Sequence, residues 1–199
     1  MAVFPAPTTL RSLDQQWNRA RWRDLPHHDG NRYEVIDGVL YVSTSPSFFH
    51  QWIIRCIFKL LNGAFDEKGL GVTAFAPVGV FMAGVDPAQP DLVLVRDTTI
   101  IRDGGIYGVP DLIVEVLSPS HPELDTRIKR SAYARAGVPE YWMVRPATRD
   151  VLVCSEPDAS LADYGQTTIV HAGAILRSPT LNFEAQVADF FAGAPDTTL

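Results

Sequence analysis

The sequence predicts a mixed α/β (α+β) fold, with a central mixed β-sheet flanked by helices. Two observations carry this expectation. Apolar segments of helical period and apolar segments of strand length follow one another in the order helix, hairpin, helix, strands, helix, strands. In addition, the strongly apolar run at 112–117, a helical segment and a second apolar strand at 140–144 have the order of a parallel crossover unit.

Residues 1–8 contain prolines and are expected to be loose. Residues 10–21 set Leu10, Leu13 and Trp17 on one face, predicting a short amphipathic helix. Residues 1–31 therefore read as an N-terminal helical extension to a domain over 32–199. Segments 32–36 and 39–43 form a hairpin whose turn is Asp37 and Gly38, a pair that tolerates positive φ. Pro46 opens the longest helix, over 47–65, with Ile53, Ile54, Ile57, Phe58, Leu60 and Leu61 as its apolar face. Segments 72–75 and 78–82 read as strands. Two further strands share one pattern, a proline and an aspartate leading into an apolar run: Pro90 and Asp91 before 92–95, and Pro110 and Asp111 before 112–117. The Asp- and Gly-rich stretch between them, 97–108, reads as a loop. Ser120 with Glu123 has the spacing of a capping box, predicting a helix that runs to Ala136 and stops at Gly137. Segments 140–144 and 151–155 form a second hairpin. Short strands near 167–170 and 174–176 and a short helix carrying Val187, Phe190 and Phe191 complete the chain.

A length of 199 residues suits one domain, and 46% apolar residues can fill its core. The formal net charge of −6 argues against tight, unspecific binding of nucleic acid by a monomer. It does not exclude a nuclease, because a cluster of metal-binding carboxylates itself lowers net charge. Cys56 and Cys154 lie far apart in apolar segments and read as buried thiols, which gives no support to a disulfide framework or a cysteine-based zinc site. The longest apolar run is broken by Arg55, Lys59 and Asn62, too short and interrupted to span a bilayer. With no basic segment leading into an apolar one at the N-terminus, the expected location is the cytoplasm.

The strongest chemical signal is Glu115, a carboxylate between Val114 and Val116 in a very apolar strand. An ionised carboxylate is costly to bury alone, so a cation, hydrogen-bond donors or a metal must compensate it. Asp111 shares its strand face but lies about 13 Å away at ~3.3 Å per residue, too far to ligate the same ion. Asp91, at the start of a neighbouring strand, is the natural partner. On the following helix Asp125, Lys129 and Tyr133 recur at i, i+4 and i+8 and share a face. On an arbitrary helix this is a surface pair; here the helix directly follows the Glu115 strand, so Lys129 can reach back to it. Glu34 is open between a site role and an exposed strand face. His50, early in the long helix, reads more readily as a satisfied polar residue than as a ligand.

Taken together these segments resemble the PD-(D/E)XK nuclease superfamily and, within it, the Uma-two family of restriction endonucleases. The resemblance rests on Tyr33 to Gly38, His50, Pro90 with Asp91, the run from Pro110 to Ser120, Asp125 with Lys129 and Tyr133, and Gly137 to Trp142. It implies a restriction-endonuclease-like fold and Mg²⁺ (or Mn²⁺) held by Asp91 and Glu115, with the Val116 backbone carbonyl as a third ligand. It further implies Lys129 at the attacking water, Glu34 assisting, DNA as substrate and a homodimer. The superfamily lysine two positions after the glutamate is absent, replaced by Leu117; in this family the lysine comes from the next helix, which suits Lys129. Two other readings stay open: a catalytically inactive nuclease-fold domain acting in nucleic-acid binding or as an interaction module, and a protein in which Glu115 and Lys129 are only a buried ion pair.

Overall fold

The structure is a computed structural model that describes residues 9–27, 29–118 and 123–194. In chain order its first half holds β1 (Thr9–Arg11), α1 (Arg19–Arg23), β2 (Arg32–Ile36), β3 (Val39–Ser43), α2 (Phe48–Ala64), β4 (Val72–Phe75), β5 (Val80–Met82), β6 (Val85–Ala88) and β7 (Leu92–Val95). There follow β8 (Ile101–Arg102), β9 (Gly105–Tyr107), β10 (Leu112–Val116), a π-helical segment (Leu124–Lys129) and α3 (Arg130–Ala136). The chain ends with β11 (Glu140–Arg145), β12 (Asp150–Asp158), β13 (Asp163–His171), β14 (Ile175–Arg177), β15 (Glu184–Gln186) and a 3₁₀ turn (Val187–Phe191).

Among the described residues these strands form a six-stranded sheet ordered β13-β12-β11-β10-β7-β4, a seven-stranded sheet ordered β1-β3-β2-β6-β5-β9-β8, and the small pair β14-β15. The six-stranded sheet is mixed. β10 runs parallel to β11, Leu112 opposite Glu140 and Val116 opposite Val144, and antiparallel to β7, Val114 opposite Leu92. The expected crossover unit is therefore present. Period-two alternation then sorts the side chains. Leu92, Leu94, Leu112, Val114, Val116, Trp142 and Val144 pack with Ile53, Ile57 and Leu61 of α2. Val93, Val95, Ile113, Leu117, Tyr141 and Met143 pack on the other side with Ala132 and Tyr133 of α3 and Val80 and Val85 of the second sheet. Glu115 falls on this second face by its place in the alternation.

The first hairpin has the expected bounds, with φ of 50° at Asp37 and 75° at Gly38. The long helix is capped by Ser47, whose side chain accepts from the His50 backbone N–H at 3.2 Å. Three expectations differ. Residues 10–21 are not one helix: Thr9–Arg11 adds a strand to β3, and helix begins only at Arg19. Leu13 is fully exposed, so the apolar stripe that suggested a helix never meets a core; only Trp17 packs, beside Tyr33, Val35 and Leu40. The stretch 97–108 is not bare loop but carries β8 and β9, and β6 at Val85–Ala88 was not anticipated. Such short strands show too few alternations to announce themselves; partners in the sheet, not propensity, stabilise them. The Ser120 end of the expected capping box lies outside the described residues, and the helix after it opens as a wide π-turn over Leu124–Lys129 before α3 continues to Ala136. Gly137 ends it with φ of 83°.

Buried Glu140 provides a useful contrast to Glu115. It accepts from the Trp142 indole N–H at 2.5 Å, the Ser178 hydroxyl at 2.6 Å, the Thr180 hydroxyl at 2.5 Å and the Thr180 backbone N–H at 3.2 Å. Neutral donors satisfy it, and it ties β11 to the C-terminal segment. Trp142 itself is 0% exposed and packs against Phe183 and Phe190. Trp142→Ala is expected to cost about 3–5 kcal/mol of folding stability, measured by urea unfolding; a loss under about 1 kcal/mol would refute this core assignment. No helix among the described residues is long and apolar enough to cross a membrane.

Candidate metal centre

Strand pairing assembles the acidic residues. β7 beside β10 sets Asp91 next to Glu115: the Asp91 backbone N–H faces Glu115 Oε2 at 3.4 Å, and the Val116 backbone N–H donates to Asp91 Oδ2 at 2.8 Å. Both carboxylates are 2% exposed. From the second sheet β2 contributes Glu34, whose Oε1 accepts from the Gln89 backbone N–H at 2.8 Å. The π-turn delivers Lys129, whose Nζ lies 2.9 Å from Glu115 Oε1, 3.0 Å from Glu34 Oε2 and 3.4 Å from Asp125 Oδ1. The Tyr133 hydroxyl donates to Glu115 Oε1 at 3.1 Å. Glu34, Asp91, Glu115 and Lys129 are thus brought together, and the Asp125, Lys129, Tyr133 stripe faces them. Leu117, where the superfamily lysine would stand, is buried in the apolar core instead. Asp111 stays apart, holding the backbone N–H and guanidinium of Arg96 at 2.7 and 2.8 Å.

Two basic residues complete the arrangement. Arg32 Nη1 donates to Asp91 Oδ1 at 2.8 Å, and His50 Nε2 lies 3.1 Å from Asp91 Oδ2. Arg32 carries no motif that marks it in the sequence, although it precedes Glu34 by two residues and therefore shares its strand face. His50, expected as a satisfied polar residue, meets Asp91 through Nε2, while Nδ1 is buried with no hydrogen-bond partner among the described residues. A cavity of about 270 Å³ lies over the cluster, lined by Arg32, Glu34, His50, Asp91, Glu115, Asp125 and Lys129, with exposed Thr44, Pro46 and Ser47 at its rim.

The charges explain the titration behaviour. Glu34, Asp91, Glu115 and Asp125 face the cations Arg32 and Lys129, so full ionisation would leave the buried site with surplus negative charge. Burial pushes Glu115 well above the usual carboxylate range, and the neighbouring carboxylates Asp91, Asp125 and Glu34 add to this against Lys129. Burial, with Asp91 and Glu34 nearby, likewise pushes Asp125 up to about 6 despite Lys129. Burial opposes ionisation of Asp91 too, but Arg32, His50 and Lys129 outweigh it and hold Asp91 well below the usual range. For Lys129 burial favours the neutral amine, yet Glu115, Glu34 and Asp125 prevail and keep it protonated.

Because the folded-state value of Asp125 lies above its unfolded value of 3.8, its favourable contribution is full below that value and is lost as pH rises through about 6. Asp125→Asn is therefore expected to stabilise the metal-free protein at pH 8 relative to wild type, by about 1–3 kcal/mol, with the gain vanishing near pH 4. Thermal melts across this range check it; a variant less stable at pH 8 would contradict the charge surplus.

Among the described residues no three His, Cys, Asp or Glu side chains converge as a ligand group. The donor set nevertheless suits a hard divalent cation such as Mg²⁺, which keeps several waters and needs only one or two carboxylates. Its charge also matches the surplus. Val116 fits as a third donor. In a strand the N–H and C=O of one residue leave on the same edge, and the Val116 N–H points to Asp91. Extending the β7–β10 register beyond Val114 and Leu92 sets Pro90 opposite Val116. Proline has no N–H to occupy that carbonyl.

Comparison with known proteins identifies the fold and the family. A solved structure described as "a putative nuclease belonging to DUF820 from Anabaena variabilis ATCC 29413" matches with a TM-score of 0.73 at 17% identity, covering 88% of this chain and 97% of that one. At that identity the likeness establishes the fold, which is restriction-endonuclease-like. A search of curated proteins finds no match. The model of the Uma2 family, described as "Putative restriction endonuclease", matches residues 20–188. Spanning most of the sequence and every residue of the acidic cluster, that match means that the chain belongs to the Uma2 family.

Proposed function

We propose that this protein is a Mg²⁺-dependent endonuclease that hydrolyses phosphodiester bonds in DNA. The observation that carries the reading is the convergence of Asp91, Glu115, Glu34 and Lys129 beneath one cavity, with Lys129 Nζ at 2.9 and 3.0 Å from two of the carboxylates. Asp91, Glu115 and the Val116 carbonyl would hold the metal, with Mn²⁺ as a substitute. When bound, such an ion supplies Lewis acidity at the phosphoryl oxygen and lowers the pKa of water.

The chain's own residues do the rest. Lys129, kept protonated by its carboxylates, acts as a fixed cation and not as a base: it orients the attacking water and offsets charge at the phosphate. The Tyr133 hydroxyl and Lys129 both hold Glu115 Oε1, so its orientation is set before substrate arrives. Glu34, pinned at Oε1 by the Gln89 N–H, presents its other oxygen to Lys129 and assists at the water. In this reading the protein works in the cytoplasm as a homodimer, because cutting both strands of a duplex suits two-fold symmetry.

The test is cleavage of plasmid and single-stranded DNA with Mg²⁺ or Mn²⁺. Wild type is expected to cut, and Asp91→Ala is not. Absence of cleavage together with absence of metal binding would instead favour the reading in which Glu115 and Lys129 are only a buried ion pair. A specific observation keeps that reading in view: Lys129 already compensates Glu115 and Glu34 without a metal.

A further inference from the structure

Asp91 holds a place two partners compete for. Arg32 Nη1 donates to its Oδ1 at 2.8 Å, and among the described residues this is the guanidinium's hydrogen-bonded partner. A guanidinium has five N–H donors in a planar fork, the geometry that matches phosphate. The Arg32 side chain is 20% exposed, against 3% for that of Asp91, and lines the same cavity. Its stem starts at the first residue of β2, the half-buried end of a strand whose other four residues are buried. A divalent ion on Asp91 and a guanidinium on the same carboxylate repel each other strongly at this depth.

We propose that Arg32 is a metal-released phosphate clamp: it neutralises Asp91 before the metal binds, and when displaced it turns within the cavity to hold a phosphate of the nucleic-acid backbone. This rests on the metal-centre reading above and adds to it a residue that touches substrate. The device is reciprocal, as linkage requires. Metal on Asp91 frees Arg32 for the phosphate, and a phosphate that holds Arg32 frees Asp91 for the metal, so each ligand raises the affinity for the other.

The experiment uses the full chain and reads binding, not cleavage. Mn²⁺ affinity is measured by titration with electron paramagnetic resonance. Affinity for a fluorescent DNA duplex is measured by anisotropy in Ca²⁺, over a series of salt concentrations. Arg32→Gln is expected to bind Mn²⁺ about tenfold more tightly than wild type. It is expected to bind duplex about tenfold more weakly, with the salt slope reduced by about one. Arg32→Lys keeps the charge but not the fork. It should bind Mn²⁺ much as wild type does and still lose duplex affinity. If Arg32→Gln does not fold, Arg32→Lys alone decides, because unchanged duplex affinity there overturns the clamp. Unchanged or weaker Mn²⁺ binding by folded Arg32→Gln overturns the competition. An unchanged duplex affinity and salt slope overturn the phosphate contact. Asp91→Ala separates this from the underlying reading: if it binds Mn²⁺ like wild type, the metal centre fails. If it loses Mn²⁺ while Arg32→Gln changes nothing, only the clamp fails.

Discussion

Lys129→Met is expected to destabilise the fold by about 3–5 kcal/mol and to abolish DNA cleavage. The stem of Lys129 is fully buried, so methionine replaces most of its volume, and the loss isolates the charge. Without it Glu34, Glu115 and Asp125 face one another with their shared cation gone. Breaking a buried pair from one side costs more than the pair itself contributes, because the remaining charges have nowhere to go. Glu115 and Asp125, whose carboxyls burial already pushes up, will take up protons, so the penalty should be largest at pH 8 and shrink toward pH 5. Adding Glu34→Gln to Lys129→Met removes one stranded carboxylate and should recover part of the stability without recovering cleavage. Urea unfolding at the two pH values and a plasmid assay decide the matter. Full cleavage by Lys129→Met would sink the catalytic role; a pH-independent penalty would sink the electrostatic account.

The second large effect is that of Asp91→Ala. It should lower metal-dependent cleavage by roughly 10³-fold or more, the several kcal/mol of charge stabilisation that a correctly held metal supplies. Mn²⁺ binding should fall with it. Its folding penalty should be smaller than that of Lys129→Met. Arg32 and His50 are left without Asp91, but Glu34 and Glu115 remain to attract Arg32. Burial disfavours the Arg32 cation, yet Asp91, Glu34 and Glu115 together hold its pKa above the ordinary value. A variant that folds, binds no Mn²⁺ and still cuts DNA would show that the chemistry lies elsewhere.

Much of the scaffold was legible from local pattern. The Asp37 and Gly38 turn needed positive φ at both positions, and few residue pairs accept it. The α2 helix announced itself through a broad apolar face and a serine cap. What failed was local in another sense. Residues 10–21 showed a helical period over too few turns, and the chain there found a strand partner in β3 instead. The short strands β6, β8 and β9 exist because neighbours complete their hydrogen bonds, not because their own residues demand it.

The acidic centre divides in the same way. An isolated glutamate in the run Leu112 to Val116 requires compensation by elementary electrostatics, so Glu115 was identifiable from its flanking residues alone. So was the shared helical face of Asp125, Lys129 and Tyr133. Which groups compensate which is a different matter. Only the order β10-β7 places Asp91 beside Glu115, only the second sheet brings Glu34 and Arg32, and only the N-terminal turn of α2 brings His50 to Asp91. Those contacts join residues dozens of positions apart, and no periodicity carries information across such gaps. A local pattern states that a buried charge must be answered; the register of strands distant in the chain decides what answers it, because Coulomb energy depends on distance in space and not on separation in sequence.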